Sequence, residues 1–149
     1  MDAKTFSVVA GVAGFGGAWN ADSKTHNVWL AGLYSGNVEV YSGKTDSRVA
    51  TVSLGFCPVG SWVDTRHRYA WVSAQCGSDH DPVWAIDADT YAVVAGPIDT
   101  PGVMNQTVVN SVTGRFYVDK DGTTNYEVDP DKSFAVKKTS FGIAYNVDI

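Results

Sequence analysis

The feature that most constrains this chain is a phrase that recurs about every 42–46 residues. The stretch at 2–11, DAKTFSVVAG, returns almost unchanged at 87–96 as DADTYAVVAG. An acidic or amide residue marks the same place in each looser copy, at intervals of 42, 46 and 38 residues, namely at Asp22, Asp64, Asn110 and Asp148. A repeat of this length is typical of a radial array of small β-sheets. The repeat therefore predicts the architecture but not the activity.

Each repeat contains four short runs of residues that favour β-strands, and turns of Gly, Asp, Asn and Ser separate the runs. No window shows the apolar 3.6-residue period of a capped helix. Counted from the inside of the array outward, the first strands are predicted at 18–22, 61–64 and 106–110 and the second strands at 28–31, 70–73 and 116–119. The third strands are predicted at 38–41, 83–86 and 126–128, and the fourth at 48–52, 91–94 and 134–137.

We therefore predict an all-β fold, a β-propeller with blades of four antiparallel strands and about 3.5 blades per chain. Three complete blades are expected at about 16–54, 58–98 and 103–139. A single outer strand is expected before them, at about 5–13, and a single inner strand after them, at about 142–149. In this interpretation residues 1–149 form one partial propeller domain.

Three stretches carry a resemblance to a known family: WVSA at 71–74, YVDK at 117–120 and ID at 86–87. They resemble the YVTN-type β-propeller repeat, in which the second strand is aromatic-Val-x-Asn-like and the third runs into Asp. The resemblance implies the propeller fold. It implies a range of functions, because the family includes lactonase-like enzymes, cofactor-bearing reductase domains and surface proteins. Those propellers usually have seven blades on one chain, so this chain supplies about half of one.

A partial ring leaves its first and last strands without neighbours, and unpaired strand edges are templates for association. We expect either self-association, as a dimer that completes a ring, or the remainder of a longer propeller chain. The sequence leaves both alternatives open.

Charge and hydropathy exclude two classes of partner. The net charge is −5, and basic residues cluster only at 66–68 and 137–138, so the concentrated basic surface of a nucleic-acid-binding protein is missing. No apolar run approaches the roughly 20 residues of a membrane span. The first residues also lack the charged and apolar regions of a signal peptide.

The two cysteines, Cys57 and Cys76, fall in loops that flank the same blade on the same face. A disulfide between them would close a loop of about 20 residues and stabilise the fold by about 3 kcal/mol. It would also favour a secreted or periplasmic location, because disulfides persist in oxidising compartments. The alternative is a pair of reduced, half-buried thiols.

Loops on a rigid scaffold are where function concentrates, and the fourth-to-first and second-to-third strand connections of a propeller lie on one face, which is conventionally the ligand-binding face. The candidate ligand-binding residues there are Phe15, Tyr34, Phe56, Trp84, Asn105 and Phe141. Trp84 is included because Glu39 and Glu127 take its place in the other blades. The other paired tryptophans are expected to pack between blades, namely Trp19 with Trp62 and Trp29 with Trp71.

Polar residues mark two further places. Amides on or near the inner strands, namely Asn20, Asn105, Gln106 and Asn146, are candidates to line a central channel and bind a small polar ligand or ordered water. At the opposite end of the blades, solvent exposure is expected for His26, Arg66, His67 and Arg68.

The loop at 75–82 contains the candidate catalytic residues Asp79, His80 and Asp81. Two carboxylates around an imidazole are suited to general acid–base catalysis, or to a divalent metal, which is the alternative to an otherwise cofactor-free protein. Neighbouring residues in an extended segment point in alternating directions, however, so a polar turn before Pro82 is the competing interpretation.

The function predicted is a non-catalytic binding or assembly module for a small polar ligand, glycan or protein. The alternative is a lactonase- or lyase-like enzyme.

Overall fold

The computed structural model describes residues 16–55, 57–75, 77, 80–120, 122 and 124–139. Within these residues the chain forms twelve β-strands and one 3₁₀ helix, Pro130–Lys132. The strands are β1 (Trp19–Ala21), β2 (Asn27–Gly32), β3 (Asn37–Ser42), β4 (Ser47–Ser53), β5 (Pro58–Asp64), β6 (Tyr69–Ala74), β7 (Val83–Asp87), β8 (Val93–Ile98), β9 (Met104–Val109), β10 (Phe116–Lys120), β11 (Thr124–Asp129) and β12 (Ala135–Thr139). No helix in this part of the chain is long and apolar enough to cross a membrane.

The strands form three antiparallel sheets of four, each ordered as its strands follow one another in the chain. We call β1–β4 blade 1, β5–β8 blade 2 and β9–β12 blade 3. The predicted all-β fold of four-stranded blades is confirmed. The single strands expected at about 5–13 and 142–149 lie outside the described residues.

The repeated Asp or Asn that defined the sequence period is a turn residue. The side chains of Asp22, Asp64 and Asn110 accept hydrogen bonds from the backbone N–H two residues later, at 2.9, 2.9 and 3.0 Å. Asp87 and Asp129 do the same between the third and fourth strands, at 2.9 and 3.1 Å. Short polar side chains favour turns by this local hydrogen bond, so the hairpins recur where the Asp and Asn recur.

Two fourth strands begin later than expected. Tyr91 and Phe134, predicted to start these strands, instead have positive φ angles of 63° and 60° and close the preceding turns. β8 begins at Val93 and β12 at Ala135. The turn aims each ring inward, so that Tyr91 lies 5.8 Å from Trp29 and Phe134 lies 5.8 Å from Trp71 between ring centroids. Packing between blades therefore outweighs the strand preference of these two aromatics.

The core consists of two layers, each between neighbouring blades. The layer between blades 1 and 2 contains Trp29, Val38, Val40, Val52, Ala70, Val72, Ala74, Trp84, Ile86 and Ala88. The layer between blades 2 and 3 contains Trp71, Val83, Ala85, Met104, Phe116, Val118 and Val128. Successive residues of β6 alternate between the layers, as strand geometry requires. Blade 2 is therefore buried on both faces.

The strand register shows that Trp19 and Trp62 are not equivalent. Trp19 lies opposite Leu30, whereas Trp62 lies opposite Trp71. Trp71 corresponds to Trp29, the residue before Leu30, so the two inner-strand tryptophans differ by one position. A shift of one residue moves a strand side chain to the other face of the sheet. Trp19 therefore faces away from blade 2 and is 71% exposed, and the expectation that it packs in the core is wrong.

The strand register also shows which residues of the other blades correspond to Trp84. Trp84 lies opposite Val72, and the corresponding residue of blade 3, opposite Val118, is Tyr126 rather than Glu127. Blade 3 thus has an aromatic residue at this position. Trp84 is 3% exposed and belongs to the core layer between blades 1 and 2, an environment that favours packing over ligand contact.

The outermost strands carry residues that discourage edge-to-edge pairing. Arg48 lies on β4, Pro97 on β8, and Lys137 and Lys138 on β12. Charged side chains and proline are the usual protection of exposed strand edges. Within the described residues, the blades therefore associate through their faces.

Gly96 gives a test of the packing around Trp84. A Cβ at position 96 would overlap the Trp84 ring, and the backbone there has a φ of +129°. We expect Gly96→Ala to lower the free energy of unfolding by about 3 kcal/mol, from overpacking and backbone strain together. Chemical denaturation measures this change.

Gly55→Ala is the matched control, because Gly55 also has a positive φ, +71°, but nothing lies within 4 Å of the place that a Cβ would take there. It should cost about 1 kcal/mol, the backbone part alone. Equal losses in the two variants would show that contact with Trp84 does not restrict position 96.

Candidate functional site

The blades have two ends. We call the end formed by 33–36, 54–57, 75–82, 99–103 and 121–123 the loop end, and the opposite end, with the hairpins after β1, β3, β5, β7, β9 and β11, the turn end. At the loop end, His80 lies beside the connection at 99–103, because it forms isolated β-bridges with Pro101 and Gly102. His80 and this connection therefore belong to one surface.

His80 and Asp81 point in different directions. The side chain of His80 is 64% exposed, and its Nδ1 lies 2.9 Å from Oδ1 of Asp99. Asp81 is fully buried, and its Oδ2 accepts a hydrogen bond of 2.7 Å from the backbone N–H of Met104. The two side chains therefore do not form one site together. Asp79 lies outside the described residues, so the use of the whole Asp79–His80–Asp81 group stays a prediction.

Beneath this surface lies a buried polar cluster, which we call the Lys120 cluster, made of Asp81, Thr100, Gly102 and Lys120. Lys120 is 1% exposed, and its Nζ donates to the carbonyls of Asp81 at 3.1 Å and Gly102 at 2.9 Å. Thr100 Oγ1 also donates to the Asp81 carbonyl, at 2.6 Å. A buried ammonium is tolerated only where polar groups surround it. Lys120 therefore ties β10 to both connections of blade 2.

Lys120 was not among the residues predicted from the sequence. It follows four strand residues of mixed character, and only the burial of all five residues of β10 marks it as internal. The one signal in the sequence was its position at the end of a second strand, because the repeat aligns that strand with the buried second strands of the other blades. Its partners are 18 and 39 residues away, so no local pattern identifies them.

The predicted ligand-binding residues do not form one cluster in the described part of the chain. Tyr34 is 87% exposed on the β2–β3 turn of blade 1. Asn105 lies on β9 of blade 3, where its Nδ2 donates to Oδ2 of Asp119 at 2.9 Å. Trp84 is in the core, and the remaining three, Phe15, Phe56 and Phe141, lie outside the described residues.

The neighbourhood of the cysteines agrees with the predicted pairing. Cys57 directly precedes β5 and is not a free cysteine. Its carbonyl accepts a 3.0 Å hydrogen bond from the backbone N–H of Gln75, the residue before Cys76. Cys76 itself lies outside the described residues, so the disulfide stays a prediction.

The turn end is held together by ion pairs between blades. Arg68, on the β5–β6 hairpin, donates to both carboxylate oxygens of Asp22 in blade 1, at 3.0 and 2.7 Å. It also donates to Asp89 at 2.8 and 3.2 Å. The side chain of Arg68 is 13% exposed and that of Asp22 is 0% exposed. The expectation of solvent exposure for Arg68 is therefore wrong.

His67 makes the corresponding connection to blade 3. Its Nδ1 lies 2.7 Å from Oδ2 of Asp64, which is buried, and its Nε2 lies 3.2 Å from Oδ1 of Asp131. The side chain is 17% exposed, so expected exposure is also wrong for His67. A Cβ at Gly114 would overlap the imidazole. Glycine is therefore required where the β9–β10 hairpin covers His67.

The charges at the turn end shift the acid–base behaviour of Asp22. Burial alone would raise the pKa of its carboxyl, but hydrogen bonds from Arg68, Thr25 and the Lys24 amide outweigh this effect and hold that pKa well below its usual value. The hydrogen bonds to Asp22 and Asp89 in turn raise the pKa of the Arg68 guanidinium. Asp22 therefore remains an anion in the folded protein at all ordinary pH values.

One of the predicted channel amides, Asn20, has a hydrogen-bond partner on the neighbouring inner strand. Oδ1 of Asn20 accepts a hydrogen bond of 3.3 Å from the backbone N–H of Val63, and so connects β1 to β5. Asn146 lies outside the described residues. In the part of the chain that the structure describes, no group of three or more His, Cys, Asp or Glu side chains could hold a metal ion.

The depressed pKa of Asp22 predicts how the free energy of unfolding depends on pH. Because its folded pKa is depressed from an unfolded value near 3.9, its contribution is fully present above about pH 5 and is lost as the pH falls through and below about 4. Asp22→Asn keeps an oxygen for the turn but removes the charge. We expect the variant to be about 3 kcal/mol less stable at pH 7 and to lose less stability between pH 5 and 2, as measured by urea unfolding.

Asp89→Asn is the control, because Asp89 contacts the same arginine but its side chain is 46% exposed. It should cost at most about 1 kcal/mol at pH 7. A pH profile in Asp22→Asn that matches the unsubstituted protein would contradict a role for the Asp22 charge.

The hydrogen bonds of Lys120 predict which substitution destabilises the loop end. Lys120→Met retains most of the side-chain volume but removes the donors to the Asp81 and Gly102 carbonyls. We expect a loss of about 2 kcal/mol in unfolding free energy and faster hydrogen exchange at the Met104 amide. Lys138→Met, on the exposed strand β12, should change stability by less than about 0.5 kcal/mol. Unchanged exchange at Met104 would contradict the role of Lys120.

Comparisons with known proteins support the fold and leave the family open. No protein-family model matches the chain, and no curated protein matches it. Among solved structures, a chain of hydrazine synthase from Kuenenia stuttgartiensis is similar with a TM-score of 0.67 and 13% identity, over 84% of this chain and 37% of that one. A chain of a mitotic checkpoint complex is similar with a TM-score of 0.52 and 11% identity, over 85% and 36%.

Both are β-propeller proteins, and at this identity the likeness concerns the fold alone. The chain spans little more than a third of the length of either. The fold is therefore that of about three propeller blades.

Proposed function

We propose that this chain is a non-catalytic β-propeller module of the YVTN repeat type. Its blades form part of a larger ring, and its loop end recognises a small polar ligand, a glycan or a protein. The observation that carries the proposal is the exposure of Trp19. Its counterpart in blade 2, Ser61, is 2% exposed and donates to the carbonyl of Trp29 in the preceding blade. Trp19 occupies the same place with 71% of its surface exposed.

The layered core supports this proposal. Each layer requires a blade on both sides, and blade 2 is the one described blade that has both neighbours. A large exposed aromatic on a sheet face is typical of an interaction surface. Similarity to about a third of two propeller chains agrees with a module that needs further blades.

The loop end is the proposed recognition surface because rigid elements support its loops. The Lys120 cluster anchors Asp81 and Gly102 from beneath, and Tyr34 and His80 are exposed above the blades. The proposed disulfide between Cys57 and Cys76 would join two of the same connections and would place the protein in an oxidising compartment, secreted or periplasmic.

The lactonase- or lyase-like alternative requires His80 to act together with a carboxylate in its own loop. In the described part of the chain, His80 pairs with Asp99, on the neighbouring connection and itself 64% exposed. An exposed His–Asp pair in water lacks the shielded, oriented environment that acid–base catalysis uses. The arrangement therefore favours binding over catalysis.

Assembly can be tested by sedimentation velocity over about 1–100 µM, the range in which transient interfaces associate. We expect the apparent mass to rise with concentration from one chain to two, because association would bury the exposed Trp19 side chain. A single species of one-chain mass throughout would overturn the assembly part of the proposal.

The binding part has its own assay. Glycan-array binding should fall on Tyr34→Ala and should be unchanged in Lys44→Ala, an exposed residue of the turn end. Hydrolysis of simple lactones that is lost on His80→Ala would contradict the non-catalytic assignment.

A further inference from the structure

We propose that His67 makes the junction between blades 2 and 3 sensitive to pH. The imidazole joins the two blades while it carries a proton on each ring nitrogen, and it releases Asp131 of blade 3 when it loses one of them. This device belongs to the contact between blades. It is therefore independent of the recognition proposed for the loop end.

Two consecutive residues of the β5–β6 hairpin reach the two neighbouring blades. Arg68 donates to both carboxylate oxygens of Asp22 in blade 1, at 3.0 and 2.7 Å. His67 faces blade 3, where its Nε2 lies 3.2 Å from Oδ1 of Asp131. A guanidinium keeps its charge in proteins, whereas histidine is the side chain that ordinarily changes charge between pH 5 and 8. One hairpin thus makes a permanent connection on one side and a proton-dependent connection on the other.

The repeat shows that His67 is the exception among equivalent residues. The corresponding positions of the other two inner hairpins hold threonine, at Thr25 and Thr113. Thr25 Oγ1 donates to Asp22 at 2.6 Å, and Thr113 Oγ1 accepts from the backbone N–H two residues later at 3.4 Å. These bonds remain within their own hairpins. His67 makes the local contact as well, to Asp64, and adds the contact to the next blade.

The number of protons on the imidazole decides whether both contacts exist. Nδ1 of His67 lies 2.7 Å from Oδ2 of Asp64, and Nε2 lies 3.2 Å from Oδ1 of Asp131. A carboxylate oxygen only accepts, a neutral imidazole has one N–H, and an imidazolium has two. Both contacts are therefore hydrogen bonds only in the imidazolium. In the neutral ring, one nitrogen would turn a lone pair toward a carboxylate.

The burial of the two carboxylates decides which contact is lost. Asp64 is fully buried, and its oxygens also accept from the backbone N–H groups of Arg66 at 2.9 Å and His67 at 3.3 Å. The side chain of Asp131 is 58% exposed, so water can replace the imidazole there. A buried charge that loses a donor costs more than an exposed one. The proton therefore leaves Nε2, and the contact with blade 3 is the one that breaks.

The groups packed around the imidazole hold it in this position. The Tyr69 ring of β6 stacks on it, with centroids 6.0 Å apart and planes at 16°. From blade 3, the β9–β10 hairpin covers it at Gly114, where a Cβ would overlap the ring. Arg66, beside it in its own hairpin, is 53% exposed, and its Nη2 lies 4.0 Å from Oδ2 of Asp131. Deprotonation therefore removes a hydrogen bond without requiring the ring to move.

Two other cations of blade 3 are engaged elsewhere. Lys132 and Arg115 each lie 3.2 Å from Oδ2 of Asp129. They therefore do not replace the imidazole at Asp131. In the described part of the chain, a neutral His67 leaves Asp131 with the longer, exposed contact to Arg66.

A double-mutant cycle tests the proposal, because it isolates the coupling of one pair from every other titrating group. The four proteins are the unsubstituted chain, His67→Thr, Asp131→Asn and the double variant. His67→Thr introduces the residue type of the equivalent hairpins, which can keep the local bond to Asp64. Urea unfolding is measured at about pH 5.5 and about pH 8.5, on either side of the range in which histidine changes charge. We expect the pair to change the unfolding equilibrium constant by about three- to fivefold at the lower pH and not at the higher.

Arg48 and Glu39 provide the matched control, because they form a partly exposed ion pair of 3.1 Å whose cation is an arginine. The cycle of Arg48→Met and Glu39→Gln should give the same coupling at both pH values. A coupling that fell equally in this pair would assign the pH effect to something other than the imidazole and would overturn the proposal.

The ¹⁵N chemical shifts of the His67 ring test the direction of proton loss. The signals are assigned by their disappearance in His67→Thr. We expect both nitrogens to be protonated at the lower pH and Nδ1 alone at the higher. A neutral ring with its proton on Nε2 would overturn the proposal. So would a His67–Asp131 coupling that is equal at the two pH values or absent at both.

Discussion

Face-to-face packing of blades is the constraint on which the rest of this structure depends. The second and third strands of blade 2 are apolar on both sides, and a sheet of that kind is stable only between two others. The stacked pair of Trp71 and Phe116 shows how closely the blades meet. The blades at either side have satisfied one face each. In the described part of the chain, their other faces carry hydrogen-bonded polar groups around Glu39 and Glu127.

The regular spacing of Asp and Asn serves two purposes at once. Asp22 forms its own hairpin and also receives Arg68 from the next blade. Asp64 forms the next hairpin and holds His67, which reaches Asp131 in blade 3. A turn residue with two carboxylate oxygens can accept from the backbone and from a side chain at the same time. The register of each hairpin is thereby linked to the position of the neighbouring blade.

The sequence predicted the three sheets because strand pattern and turn chemistry are local, and because each was repeated. It did not predict which face Trp19 occupies, since an offset of one residue in the alignment reverses a strand side chain. Tyr91 and Phe134 were predicted to lie in strands, because their contacts with Trp29 and Trp71 depend on packing between blades and leave no local pattern. Among the described candidate residues, the exposure of Tyr34 and His80 agrees with their loop positions, whereas Lys120 depends on contacts between distant segments.

The distribution of charge between the two ends supports the proposal that recognition occurs at the loop end. At the turn end, Arg68 and His67 are already engaged by carboxylates of neighbouring blades and are mostly buried. A ligand would have to displace these ion pairs, and breaking a buried pair costs about 3–5 kcal/mol. At the loop end, the buried Lys120 is likewise engaged, but it lies beneath the surface on which the side chains of Tyr34 and His80 are exposed. A ligand at the loop end would therefore not have to break the ion pairs that join the blades.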